Sequence, residues 1–152
     1  MLRRLILATA ILVMLPAAAS AGYTYYGPHL GFSSGPDQFV LGGHLQWNGI
    51  APQVAFVPGA DVAFGDNFTM VTLNGDFHYQ IAGTTKWRPY VGAGVGFHFP
   101  QGDNVSNDVQ TGGHFIVGAA VPLQTGGRFF TELKLGFDNA PDFKALAGWN
   151  FK

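Results

Sequence analysis

Cysteine is absent from the 152-residue chain, so neither a disulfide framework nor a lipidated N-terminal cysteine is available to stabilise or anchor it. Charge is scarce as well. Asp, Glu, Lys and Arg make up 11% of the residues, against about 25% in soluble domains, and a water-facing surface built from so few charges is poorly solvated. The formal net charge of −1 gives no polyanion-binding signature, so nucleic acid is not an expected partner. Long apolar runs are missing too: beyond Leu15 none approaches the ~20 residues of a membrane-spanning helix, and no segment repeats with a helical period. What is present is a chain 47% hydrophobic and 14% aromatic, with 22 glycines. That many glycines are a poor choice for a helical membrane protein of this size.

Residues 1–21 read as a cleaved export signal. Arg3 and Arg4 supply a positive start, Leu5 to Leu15 an apolar stretch too short to span, Pro16 a break, and Ala19-Ser20-Ala21 a small-x-small cleavage site. The mature part, residues 22–152, is about one domain by length.

In the mature part the segment Trp87 to Phe99 shows the governing pattern. Successive strand residues point to opposite sides. Trp87, Pro89, Val91, Ala93, Val95, Phe97 and Phe99 therefore form one unbroken apolar face, with Arg88, Tyr90, Gly92, Gly94, Gly96 and His98 opposite. A face of grease ended by aromatics, backed by polar or very small residues, suits lipid outside and a narrow lumen inside. Eight segments repeat it: Tyr25 to Ser33, Phe39 to Trp47, Val54 to Phe64, Phe68 to Ile81, Trp87 to Phe99, His114 to Leu123, Arg128 to Phe137 and Phe143 to Phe151. Strands with oil-facing exteriors must close on themselves, because an open edge would leave backbone groups unpaired in hydrocarbon. The expected fold is all-β: an eight-stranded antiparallel up-and-down transmembrane β-barrel.

With both termini on the inner side, the outer connectors are Ser34 to Gln38, Gly65 to Asn67, Gln101 to Gly113 and Asp138 to Asp142, and the inner turns are Asn48 to Gln53, Ala82 to Lys86 and Gln124 to Gly127. Every acid outside a strand falls in that outer set, and Trp47, Trp87 and Trp149 all point outward at the inner end, at the level of lipid headgroups. Phe32, Phe39, Phe64, Phe97, Phe99, Phe137 and Phe143 form a second girdle at the outer end.

The run Trp87-Arg88-Pro89-Tyr90-Val91-Gly92-Ala93-Gly94-Val95-Gly96, with Leu73-Asn74-Gly75 before it and the closing Trp149-x-Phe151, resembles the small OmpA-like and OmpX-like eight-stranded outer-membrane barrels of Gram-negative bacteria. The likeness covers the mature chain in pattern and is sharpest over residues 68–99. The resemblance implies residence in the outer membrane, contact with its lipid and lipopolysaccharide, and insertion by the barrel assembly machinery. That machinery uses the terminal aromatic of the family; here Lys152 follows Phe151.

Face assignment puts all five histidines, His29, His44, His78, His98 and His114, in the lumen with Asp61, Asp76, Glu132, Arg88, Lys134 and Lys144. An eight-stranded barrel is only wide enough to be filled by its side chains, so these groups need one another as partners. They read as an ion-paired plug with no continuous water channel. Inward glycines make room for it: a hairpin centred near residue 84 sets Asp76 opposite Gly92 and Asn74 opposite Gly94. The histidines lack any His-x-His or His-x3-His spacing, so neither metal nor cofactor is expected, although a convergent metal or pH-sensing cluster is the functional alternative.

The expected function is that of an integral envelope protein with a structural or surface-interaction role, an outside partner meeting the Gln101 to Gly113 loop. The alternatives are a narrow gated pore, a soluble lipocalin-like binder with the apolar face turned inward, and a lipid-modifying outer-membrane enzyme. The last lacks a nucleophile elbow or metalloprotease motif, and no catalytic residue is expected.

Overall fold

The computed structural model describes residues 24–152 except 67, 84, 85, 103, 104 and 107. The signal segment, 1–21, lies outside the described residues. Eight strands follow in order: β1 (Thr24–Ser34), β2 (Gln38–Ala51), β3 (Val54–Phe64), β4 (Thr69–Gln80), β5 (Arg88–Gln101), β6 (Gln110–Pro122), β7 (Arg128–Asp138) and β8 (Phe143–Asn150). Each pairs antiparallel with the next, and β8 pairs with β1 to close the barrel. There is no helix among the described residues.

The closure has a definite stagger. Moving sideways from Thr24 along paired residues leads through Trp47, Phe56, Phe77, Ala93, Phe115, Leu135 and Phe143, and returns to β1 at Ser34, ten residues further on. Such a shear tilts the strands by roughly 40° to the barrel axis. Most residues on this path are aromatic and all face out, so rings run round the wall as a spiral: Trp47 contacts Phe56 at 5.6 Å, Phe56 contacts Phe77 at 5.1 Å, and Phe115 contacts Phe137 at 5.4 Å.

The alternation sorts side chains inside out relative to a water-soluble protein. Phe32, Phe39, Leu41, Phe77, Trp87, Val95, Phe97, Phe115, Val117, Leu135 and Trp149 are all exposed, while Asp61, Asp76, Glu132, Lys134 and Lys144 are buried. A lipocalin-like barrel requires the reverse. The seam is completed near the chain ends, where Tyr26 and Phe151 exchange backbone hydrogen bonds of 3.0 and 2.7 Å. Between that bridge and the His29–Gly148 pair lies Pro28, which has no N–H to donate to the ladder.

Three expectations are corrected. The β4–β5 register sets Asp76 opposite Gly94 and Asn74 opposite Gly96, with His78 opposite Gly92. The shift of two residues keeps every side chain on its predicted face, because the pleat repeats every second residue. The loop expected over Gln101 to Gly113 is shorter, since β6 begins at Gln110 and His98 and Phe97 pair with Gln110 and Thr111. The turn expected over Asn48 to Gln53 also shrinks: β2 runs on to Ala51 through an irregularity between Asn48 and Ala51.

The end of the barrel away from the chain termini is closed. Val40, Ala63, Met70 and Leu146 form an inward apolar cluster with Phe68 packed against it. Beside it the β7–β8 connection folds over the mouth, burying Ala140 and Pro141. Gly112 and Gly136 make this close approach feasible: a Cβ on Gly112 would overlap the Ala140 backbone, and one on Gly136 would overlap the Pro141 carbonyl.

Candidate functional site: the polar lumen

The lumen is built from one motif used three times. A carboxylate and its partner stand two strands apart in register, and the residue between them is glycine. His29, Gly42 and Asp61 align across β1–β3; Asp76, Gly94 and His114 across β4–β6; Tyr90, Gly118 and Glu132 across β5–β7. Neighbouring strands are about 4.8 Å apart, so the two outer side chains meet only if nothing rises between them. His29 Nε2 lies 2.6 Å from Asp61 Oδ1, His114 Nε2 lies 2.7 Å from Asp76 Oδ1, and the Tyr90 hydroxyl donates to Glu132 Oε2 at 2.8 Å. A Cβ on Gly42 would fall 2.5 Å from His29 Nε2, one on Gly94 2.8 Å from His114 Nε2, and one on Gly118 2.5 Å from the Tyr90 hydroxyl.

Two lysines then tie opposite walls together. Lys144 of β8 reaches Asp61 Oδ2 at 2.9 Å, and Lys134 of β7 bonds Asp76 Oδ2 while standing 3.6 Å from Glu132 Oε1. Asn74 donates to Asp61 Oδ2 at 2.9 Å, and Thr72 Oγ1 meets His98 Nδ1 at 3.0 Å.

From Asp61 a chain of hydrogen bonds runs to the terminal rim. His29 contacts His44 (3.1 Å), His44 meets Asn150 (2.5 Å), Asn150 donates to Gln46 (3.4 Å), and Gln46 and Gln80 both donate to Asn48 (2.9 and 3.0 Å). At that rim Arg128 sits over the Tyr25 ring at 4.2 Å and donates to its hydroxyl at 2.8 Å. A cavity of about 40 Å³ extends from these rim groups inward to Asp76, His78 and Glu132, room for a few waters.

The structure thus brings His29, His44, Asp61, Asp76, His78, His98, His114, Glu132, Lys134 and Lys144 into one lumen. Arg88 is the exception: as the first residue of β5 it is exposed at the rim and lines only the cavity mouth. Alternation gives the face and not the depth. Trp87 and Trp149 are exposed on the outer wall and Trp47 is half-buried beside Phe56. Sequence reasoning did not single out Tyr90, Thr72, Gln46 and Asn150 as lumen partners, although their inward parity carried the signal.

Within the lumen His78 Nε2 and His98 Nε2 are buried without a hydrogen-bond partner. His78 stacks on Tyr90 at 4.7 Å, and Asp76, His78 and Glu132 each bring one ligand-type atom within 4.8 Å of the others.

No protein-family model and no curated protein matches the chain. Solved structures do. Neisserial surface protein A (NspA) aligns with a TM-score of 0.61 at 8% identity, covering 84% of this chain and 92% of that one. The de novo designed TMB2.3 gives 0.56 at 13%, covering 85% and 91%, and a second structure titled as de novo design of transmembrane β-barrels gives 0.56 at 17%, covering 84% and 92%. At these identities the likeness is one of fold, and the fold is that of an eight-stranded transmembrane β-barrel.

Proposed function

We propose that this chain is an integral outer-membrane protein of a Gram-negative bacterium, of the OmpA-like and OmpX-like kind, whose work is structural or interaction-based. One observation carries the reading: the outer wall is exposed grease from rim to rim, and the buried charges are paired inside. Only a lipid environment makes that distribution favourable, since the exposed aromatic and aliphatic side chains would otherwise face water.

In this reading residues 1–21 direct export and are removed, both ends of the barrel domain lie in the periplasm, and the acidic connectors face outward. Lipid and lipopolysaccharide surround the wall, and the barrel assembly machinery inserts the chain through the Trp149-x-Phe151 end. The lumen works as a plug. Its outer end is filled by Val40, Ala63, Met70 and Leu146 and covered by Ala140 and Pro141, which argues against a through-pore and favours a vestibule open on the periplasmic side. No catalytic role is assigned: His29, His44 and His114 are engaged with carboxylates or with one another, and all five histidines point inward, away from the lipid-facing wall. An outside partner would meet the 102–109 connector, where Ser106 donates to Asp108 at 2.7 Å.

Membrane fractionation with heat-modifiable gel migration tests the assignment, and planar-bilayer recording tests the plug. The expected results are detergent-dependent extraction, a migration shift on boiling, and no steady conductance. Release without detergent, or large stable current steps, would overturn it.

A further inference from the structure

The closed part of the lumen contains three carboxylates, Asp61, Asp76 and Glu132, and two ammonium groups, Lys134 and Lys144. Arg88 would have balanced them, but it stands exposed at the rim. Lys144 neutralises Asp61. Lys134 is the one ammonium beside both Asp76 and Glu132, with His114 on the other oxygen of Asp76 and the Tyr90 hydroxyl on Glu132, so at that cluster two carboxylates share a single lysine.

The same cluster contains a ligand atom with nothing to bind. His78 is 6% exposed, and its Nε2 is buried with no hydrogen-bond partner. The nearest carboxylate oxygen, Glu132 Oε2, is 3.6 Å away. That is too far for a hydrogen bond, yet it is close to the spacing of two ligands on one ion: with metal–ligand bonds of about 2.0–2.1 Å, a tetrahedral edge is roughly 3.3 Å. Asp76 supplies a third donor atom within 4.8 Å. The cavity borders all three residues and gives a path from the terminal rim.

We propose that His78, Glu132 and Asp76 form a binding site for a divalent transition-metal ion at the inner end of the vestibule, for which the Lys134 ammonium is the built-in competitor. One imidazole and two carboxylates suit zinc and its first-row neighbours rather than calcium or magnesium, which prefer all-oxygen shells. Binding draws Asp76 and Glu132 from the ammonium onto the ion, and water in the cavity completes the coordination. Arg88 and Arg128 at the mouth oppose a cation's approach, so loading is best done during refolding.

The test is refolding of the full barrel domain in detergent with zinc chloride, removal of free ion, and metal analysis, repeated with Co2+ for its d–d absorption. The expected result is one ion per chain, lost in His78→Ala and kept in His98→Ala, with affinity raised about tenfold or more in Lys134→Met. His78→Gln replaces His78→Ala if the latter loses heat-modifiable migration, and unaltered protein is measured in every case. No bound zinc in the unaltered protein, or binding that survives loss of the His78 imidazole, overturns the proposal. Loss of binding in His98→Ala with His78→Ala unaffected would move the ion to the other unpartnered imidazole and overturn it equally.

Discussion

Lys134 and Lys144 stand directly opposite each other in the β7–β8 ladder, both pointing inward, yet their ammonium groups bind different aspartates, Asp76 on β4 and Asp61 on β3. Like charges directly opposed on one face destabilise a sheet. Here the two side chains diverge across the lumen, so a local repulsion becomes two struts between facing walls.

Each strut is buried, so breaking one leaves a lone charge. Lys144→Met leaves Asp61 with only His29 and Asn74, at a cost of about 3–5 kcal/mol. Adding Asp61→Asn removes the stranded charge and recovers most of the loss. Urea unfolding of the barrel in lipid vesicles measures both, with exposed Asp66→Asn as the neutral reference. A Lys144→Met midpoint equal to that of Asp66→Asn would count against the strut.

The glycines of the repeated motif are held by space. Gly94→Ala forces a methyl group into Asp76 and against His114 Nε2, and Gly42→Ala does the same to Asp61 and His29. Overpacking of this kind costs about 1–3 kcal/mol. Gly75→Ala is the control, because its Cβ would meet only the Phe56 ring at 3.7 Å, an ordinary contact. Equal unfolding midpoints for Gly94→Ala and Gly75→Ala would refute the packing explanation.

The lipid-facing wall has a depth profile. Arginine in place of Val95, exposed midway along β5, is expected to destabilise by about 2–4 kcal/mol in vesicles, and arginine in place of Ile81, exposed at the rim, by about 0–1. Equal, small effects at both positions would mean that the wall does not face hydrocarbon.

Closure of the outer end is shared between the Val40–Met70 cluster and the Ala140–Pro141 cover. Exchanging residues 139–141 for a Gly-Ser linker leaves the lumen non-conducting in planar bilayers, because the apolar cluster remains. Only the combination with Met70→Ala raises ion leakage. Leakage from the loop exchange alone would assign the seal to the loop.

The fold was legible because membrane barrels write two different surfaces on one strand, and alternation between them survives small errors of register. The β4–β5 hairpin shows this: its turn was displaced, yet Asp76 and Asn74 kept their face and met glycines, only different ones. Depth along the axis left no mark in the alternation, so Arg88 was placed inside when it lies at the rim. The lysine struts were beyond reach for the same reason, since which wall Lys134 touches depends on the shear and on side-chain length. The folding of Ala140 and Pro141 over the mouth carried no periodic signal at all; the inward Gly112 and Gly136 were its only trace.

Tryptophan fluorescence in vesicles of brominated lipid tests the inside-out arrangement most directly, because Trp87 and Trp149 project from the outer wall at the terminal rim. The expected result is strong quenching by bromines placed high on the acyl chain, falling off for bromines near the bilayer centre, with little quenching by aqueous iodide. Emission untouched by bromine at every depth would put the indoles away from lipid and contradict a barrel with its grease outward and its charges within.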